Sequence, residues 1–155
     1  MLSIRPLTTA DRQAYLGAFD ELSPESRRTR FFSPKPSLTQ TEVDYFVDVD
    51  HHRHEALVAL VDGRAAGVAR FIRDQSDPSL ADVAVTVVDR WQHQGIGRAL
   101  TRAIARRATE EGVGRLRAHV LGDNRPALGL VALARTPPRR HIADGVVEVE
   151  IPIGG

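Results

Sequence analysis

An α/β (α+β) fold built on a mixed, mostly antiparallel sheet is predicted by three features of this chain. Its segments fall in the order strand, helices, three strands, helix, strand, helix, strand, which alternates too little for a doubly wound dinucleotide fold. Asp62-Gly63 separates two strand-like runs, residues 55–61 and 65–73, and an Asp-Gly pair in that setting is a strong hairpin signal. The run Val83-Ala84-Val85-Thr86-Val87-Val88 leads through Gln92-His93-Gln94-Gly95-Ile96-Gly97-Arg98 into an amphipathic stretch over 99–108, a strand–turn–helix junction. The 155 residues are predicted to form one domain, 1–155, large enough to bury its own core.

Leu2-Ser3-Ile4-Arg5 alternates and stops at Pro6, as a short edge strand does. Thr8, Thr9 and Asp11 offer caps for a helix that carries Tyr15, Leu16 and Phe19 on one face. Ser23-Pro24 places a cap before a proline at the first helical position, so a second helix starts there. Residues 33–37 form a loop and 39–49 another helical turn or two. A third strand over 80–88 follows the Asp77-Pro78-Ser79 turn, and Gly112 closes the amphipathic helix. A strand over 116–121, a helix over 124–134 and a strand over 146–153 complete the chain, with residues 135–141 as a flexible basic loop.

Composition excludes several classes. A net charge of +1 supplies no general attraction to nucleic acid or to an anionic membrane. The absence of cysteine removes a disulfide framework, a thiolate metal site and a cysteine nucleophile, and is compatible with a cytoplasmic protein. No apolar signal core opens the chain, and no stretch approaches the ~20 apolar residues of a membrane span.

The glycine turn carries the chemistry. A strand feeding a turn at a helix start gathers unpaired backbone N–H groups around one point, where the helix dipole adds partial positive charge. Gly95 and Gly97 lack Cβ, so a phosphate can approach the backbone. The third spaced glycine of a dinucleotide fingerprint is missing, and so is the Gly-Lys-Ser/Thr of a nucleotide P-loop.

Gln92-x-x-Gly95-x-Gly97 resembles the acyl-CoA pyrophosphate loop of the GNAT acetyltransferases, whose signature is Gln/Arg-x-x-Gly-x-Gly/Ala, and the order of elements is similar over nearly the whole chain. The resemblance implies a GNAT fold, with a central sheet of about six to seven strands splayed at the middle and flanked by helices. It implies acetyl-CoA as co-substrate and an amine as acceptor, with no metal. It assigns the pyrophosphate to Gln92, Gln94, Gly95, Ile96, Gly97, Arg98 and Ala99. Backbone contacts to pantetheine fall to Val85, Thr86 and Val87, and Asn124 matches a position that touches the same arm, a role compatible with an N-cap. Val87 matches a position whose N–H meets the thioester oxygen, where a fixed donor contributes several kcal/mol.

Acetyl transfer to an amine needs a proton acceptor, because a lysine-like ammonium has a pKa near ~10.4. In the protein-acetylating branches of the family a glutamate stands ten residues before the Gln/Arg of the loop. Asp82 occupies that position before Gln92, one methylene shorter. Glu55 and His119 are the alternatives. The helix tyrosine of the pattern Asn-x-x-Ala-x-x-Leu-Tyr is replaced: the chain reads Asn124, Ala127, Leu130, Val131. A thiolate of pKa near ~8.5 leaves tolerably without a dedicated acid.

Residues 48–55, Asp-Val-Asp-His-His-Arg-His-Glu, read as a polar loop rather than a metal site, because no distant paired ligands complete one. Ser26 to Phe32 mixes arginine with phenylalanine and is expected to wall the acceptor groove. Leu22 to Arg27, Arg30 to Ser33, His54 to Ala59 and Val83 to Val87 are similar to bacterial protein lysine acetyltransferases governed by a fused cyclic-nucleotide-binding domain or other module. The length leaves no room for such a module beside the catalytic domain, so control in cis is not expected. Three readings stay open. The protein acetylates the Nε of a lysine on another protein, or acetylates a small amine in a pocket shaped by Glu55, His54 or Arg30, or binds CoA with weak catalysis. A monomer and a homodimer are both compatible.

Overall fold

The computed structural model describes residues 1–31, 37–121, 139–143 and 146–153. Its elements are β1 (Leu2–Pro6), a 3-10 turn (Thr9–Asp11), α1 (Arg12–Asp20), α2 (Pro24–Phe31), α3 (Gln40–Val47), β2 (His54–Val61), β3 (Arg64–Arg73), β4 (Leu80–Val87), α4 (Ile96–Glu110), β5 (Arg115–Leu121), β6 (Arg139–Ala143) and β7 (Val146–Pro152). Seven strands among the described residues form one sheet in the order β1-β2-β3-β4-β5-β7-β6. Every neighbouring pair is antiparallel except β4 and β5, which run parallel. This is the mixed sheet the sequence predicts.

Local chemistry explains most boundaries. Asp62 and Gly63 both take positive φ, 51° and 81°, and turn β2 into β3 with Val61 opposite Arg64. Ser23 Oγ accepts the Ser26 N–H at 3.1 Å and starts α2. Thr39 and Glu42 cap α3 reciprocally. Asp11 does more than the predicted capping: its carboxylate closes the 3-10 turn on the Thr8 N–H and takes two hydrogen bonds from Arg5, at 2.7 and 2.8 Å.

The sheet is covered on both faces. Ile96, Leu100, Ile104 and Ala108 recur every four residues along α4 and pack on Leu57, Ala69, Phe71 and Ala81. On the opposite face Val43 and Val47 of α3 join Leu7, Ala56 and Val58. Gly67 lets α4 approach β3: a Cβ there would stand 2.7 Å from the Thr86 carbonyl oxygen and 3.0 Å from Leu100 Cδ1.

One expectation is corrected. Residues 135–141 were expected as a loop, but residues 139–143 form β6, paired with β7 from Arg139 opposite Glu150 to Ala143 opposite Val146. A basic run after two prolines reads locally as loop; the alternating strand Val146–Pro152 supplies the partner that makes it a strand. The predicted helix over 124–134, and with it Asn124, lies outside the described residues.

Candidate active site

The sheet opens at its centre. β4 pairs with β3 along its whole length, to Val87 opposite Gly67, but with β5 only at Leu80–Arg115, Ala81–Leu116 and Asp82–Arg117. Beyond Asp82 the two parallel strands part. The Val88 N–H donates to the Ala66 carbonyl at 2.8 Å. In an antiparallel ladder the bonded residues alternate, so Thr86 and Ala84 also turn their backbone groups to β3. Val83, Val85 and Val87 therefore present N–H and C=O groups to the gap. Of the three residues expected to meet pantetheine, Val85 and Val87 have backbone groups facing the gap, whereas the backbone of Thr86 faces β3.

The glycine turn closes one end of the gap. Gly95 is the N-cap of α4 with φ 83°, a left-handed conformation that glycine adopts without strain. No side chain caps this helix and no acidic residue occupies its first turn. Its first bond runs from the Ala99 N–H to the Gly95 carbonyl at 3.0 Å, so the N–H groups of Gly95, Ile96, Gly97 and Arg98 lack an intrahelical acceptor. Four orphan donors at the positive end of a fifteen-residue helix suit a pyrophosphate. The Gln92 side chain turns inward instead, its Nε2 donating to the Val87 carbonyl at 3.0 Å, and Gln94 donates to Arg90 O at 3.3 Å.

Asp89 anchors this turn to α2, a role the sequence reading missed. It accepts from the Ser23 N–H at 2.9 Å and the Ser26 hydroxyl at 3.0 Å. Burial opposes its charge, but these hydrogen bonds prevail and hold the carboxyl below its ordinary range.

Asp82 stands at the apex of the gap, 41% exposed. Arg117 donates to it twice, from Nε at 2.6 Å and from Nη2 at 3.0 Å, and reaches Asp74 at 3.2 Å. Hydrogen bonding to Asp82 outweighs burial and raises the Arg117 guanidinium above its ordinary value. His119 lies beside this pair, with Nδ1 3.9 Å from Asp82 Oδ1 and Nε2 3.5 Å from Glu148 Oε2. Two of the three candidate bases therefore share one corner of the site. Arg117 went unnoticed in the sequence because an arginine in an alternating strand looks like a solvated one.

Glu55 is elsewhere. It is 1% exposed on β2, with β3 and β4 between it and the gap, and its oxygens take hydrogen bonds from His51 at 2.7 Å and from Arg107 of α4 at 2.9 Å. It locks the loop before β2 onto α4. His54 packs on the opposite face and accepts from Arg70 Nη1 at 2.8 Å. Burial first, and the Arg70 charge second, push the His54 imidazole down to about 4. Among the described residues no group of three His, Asp or Glu side chains is arranged to hold a metal ion, and no helix is long and apolar enough to cross a membrane.

A parted mixed sheet, with a glycine turn and a bare helix N-terminus at the mouth of the gap, defines an acyltransferase-type architecture. The chain belongs to the acetyltransferase (GNAT) family, whose model matches residues 18–133. It is 31% identical over 153 residues to Acetyltransferase Pat of Mycolicibacterium smegmatis, covering 96% of this chain and 45% of that protein. It is 32% identical over 103 residues to Acetyltransferase PA5475 of Pseudomonas aeruginosa, covering 64% of this chain and 55% of that one. The chain thus spans about half the length of the curated relatives it matches. Among solved structures, the GNAT domain of S. lividans PAT superposes with a TM-score of 0.90 at 30% identity, covering 97% of this chain and 89% of that chain.

Proposed function

We propose that the protein transfers an acetyl group from acetyl-CoA to an amine, with the Nε of a protein lysine as the acceptor favoured by the resemblance of residues 22–27, 30–33, 54–59 and 83–87 to protein lysine acetyltransferases. One observation carries the reading: β4 and β5 separate directly after the Asp82–Arg117 pair, so a carboxylate sits where a thioester seated in the gap would meet an incoming amine.

In this reading the N–H groups of Gly95 to Arg98 hold the pyrophosphate, and the backbone of Val85 and Val87 pairs with pantetheine. Gln92, Gln94, Thr86 and Ala99 shape the turn and the strand, and Asn124, outside the described residues, keeps the pantetheine contact that the resemblance implies. The amine nitrogen attacks the thioester carbonyl, the C–N bond forms, and the Val87 N–H receives the developing oxyanion. The C–S bond then breaks and sulfur leaves as the thiolate. Asp82 attracts the acceptor ammonium and accepts its proton, directly or through one water, and Arg117 holds the carboxylate in place. His119 is the neighbouring proton carrier.

The test is calorimetric titration with acetyl-CoA, CoA and ATP, followed by acetylation of folded lysine-bearing proteins and of small amines. Micromolar binding of acetyl-CoA without ATP binding is the expected result. Absence of acetyl-CoA binding overturns the reading, and activity confined to small amines moves the acceptor to that class.

A further inference from the structure

The Gln92 side chain reaches back from the glycine turn to the last residue of β4. Its Nε2 donates to the Val87 carbonyl at 3.0 Å and, more weakly, to Ser26 Oγ at 3.4 Å. The Ser26 hydroxyl donates in turn to Asp89 Oδ2 at 3.0 Å, and Asp89 Oδ1 accepts the Ser23 N–H at 2.9 Å. A carbonyl oxygen accepts from the amide nitrogen alone, so this contact fixes which way the Gln92 amide faces. An amide turned inward meets no phosphate, although it belongs to the turn expected to hold one.

Val87 sits where β4 ends. The next residue, Val88, donates to the Ala66 carbonyl at 2.8 Å and ties that end of the strand to β3. Register with β5 stops at Asp82, so the N–H and the carbonyl of Val87 both face the gap with no strand beside them among the described residues.

These two groups have opposite effects on the expected chemistry. An N–H dipole stabilises an oxyanion developing in the gap, whereas a carbonyl oxygen on the same edge repels it. A donor placed on that oxygen offsets its partial charge and leaves the N–H as the group Val87 offers. Gln92 Nε2 is that donor. The peptide joining Val87 to Val88 is then held at both ends, its carbonyl by Gln92 and its N–H by Ala66. Such a backbone is fixed before any ligand arrives, which is what an oxyanion donor requires.

We infer that Gln92 is a positioning residue for acetyl transfer: it acts through Val87, masking the carbonyl and fixing the strand end so that the Val87 N–H meets the thioester oxygen. The inference rests on the acyltransferase reading and adds to it the group that prepares the oxyanion donor. Ser26 and Asp89 brace the same side chain against α2, so the packing of α2 on the turn helps to set the donor.

Infrared difference spectroscopy of acetyl-CoA, isotope-labelled at its thioester carbonyl and bound to the full chain, reads that N–H without any acceptor. A hydrogen bond to the carbonyl oxygen lowers its stretching frequency. Gln92→Met keeps the length of the side chain and removes the donor. The bound carbonyl is expected to absorb at higher frequency in this variant than in the parent. Acetyl-CoA affinity by calorimetry is expected to stay within a few-fold, because the turn keeps its backbone N–H groups. Gln92→Arg, whose Nε lies as many bonds from Cα as the glutamine Nε2, is expected to restore the parent frequency. Where the methionine variant fails to fold by circular dichroism, Gln92→Asn, which keeps the amide but falls one methylene short, decides.

A carbonyl frequency untouched by loss of the donor overturns the inference, as does an arginine variant that behaves like the methionine one. Loss of acetyl-CoA binding on Gln92→Met also overturns it, because Gln92 is then a cofactor contact. Absence of acetyl-CoA binding by the parent protein instead overturns the acyltransferase reading beneath it.

Discussion

Arg117 grips Asp82 with two hydrogen bonds, 2.6 and 3.0 Å long, at the last register pair before β4 and β5 part. The same contact closes the sheet and orients the carboxylate at the mouth of the gap. Asp82→Asn is expected to lower turnover at least about tenfold at neutral pH while acetyl-CoA affinity stays within a few-fold, because the lost step is proton acceptance. Steady-state kinetics across pH, paired with calorimetry, checks it. Unchanged turnover at every pH removes Asp82 from the mechanism.

Gly97 lies in the first turn of α4, where orphan N–H groups converge. Gly97→Glu places a side chain and a negative charge at that point, against the expected pyrophosphate. The variant is expected to fold and to lose acetyl-CoA binding. Normal binding by calorimetry is incompatible with the assignment of the loop.

Gly67 tests how closely the sheet and α4 are packed. A Cβ at 2.7 Å from a backbone oxygen cannot be relieved by a side-chain rotation. Gly67→Ala is therefore expected to destabilise the fold by about 1–3 kcal/mol, as overpacking does. Urea unfolding measures it, and a variant as stable as the parent contradicts the contact.

Acid stability carries a signature of His54. Its folded value of about 4 lies below the ordinary 6.5, so between these two pH values the unfolded chain binds a proton that the folded chain refuses. Stability is unaffected above pH 6.5 and falls as pH drops toward 4, by about 3 kcal/mol in all. Asp11 and Asp50, both held at about 2, contribute stability that is lost only below pH 3.8, so the windows do not coincide. His54→Gln keeps an acceptor for Arg70 and is expected to flatten the curve between pH 4 and 6.5. An unaltered slope in that window assigns the loss to other groups.

Asp89 links α2 to the glycine turn through Ser23 and Ser26. Asp89→Ala is expected to weaken acetyl-CoA binding several-fold and to cost about 1 kcal/mol or more of stability, because it removes a side-chain acceptor from two donors at a helix start. Denaturation and titration of the same variant read both effects.

The residue pattern by itself determined the strand–turn–helix junction, the Asp62-Gly63 hairpin and the apolar stripe of α4. Each depends on neighbours within a few positions: positive φ at a turn, a glycine at a helix start, a repeat of about four residues. The same local logic made the glycine turn a phosphate candidate, whereas Asp82 was singled out by the family resemblance, ten residues before Gln92. It could not separate strand from loop at residues 139–143, where an edge partner decides the outcome. Nor could it tell which polar side chains in alternating strands face water. Arg70 and Arg117 look like solvated positions along their strands, and Glu55 looks like a candidate base. Tertiary structure alone buries Arg70 between Phe46 and Tyr15, sets Arg117 against Asp82, and locks Glu55 to Arg107. Each of these partners lies 24 or more residues away in sequence, beyond any short window, because charge pairing and burial are set by which strands and helices become neighbours, not by the spacing of residues along any one of them.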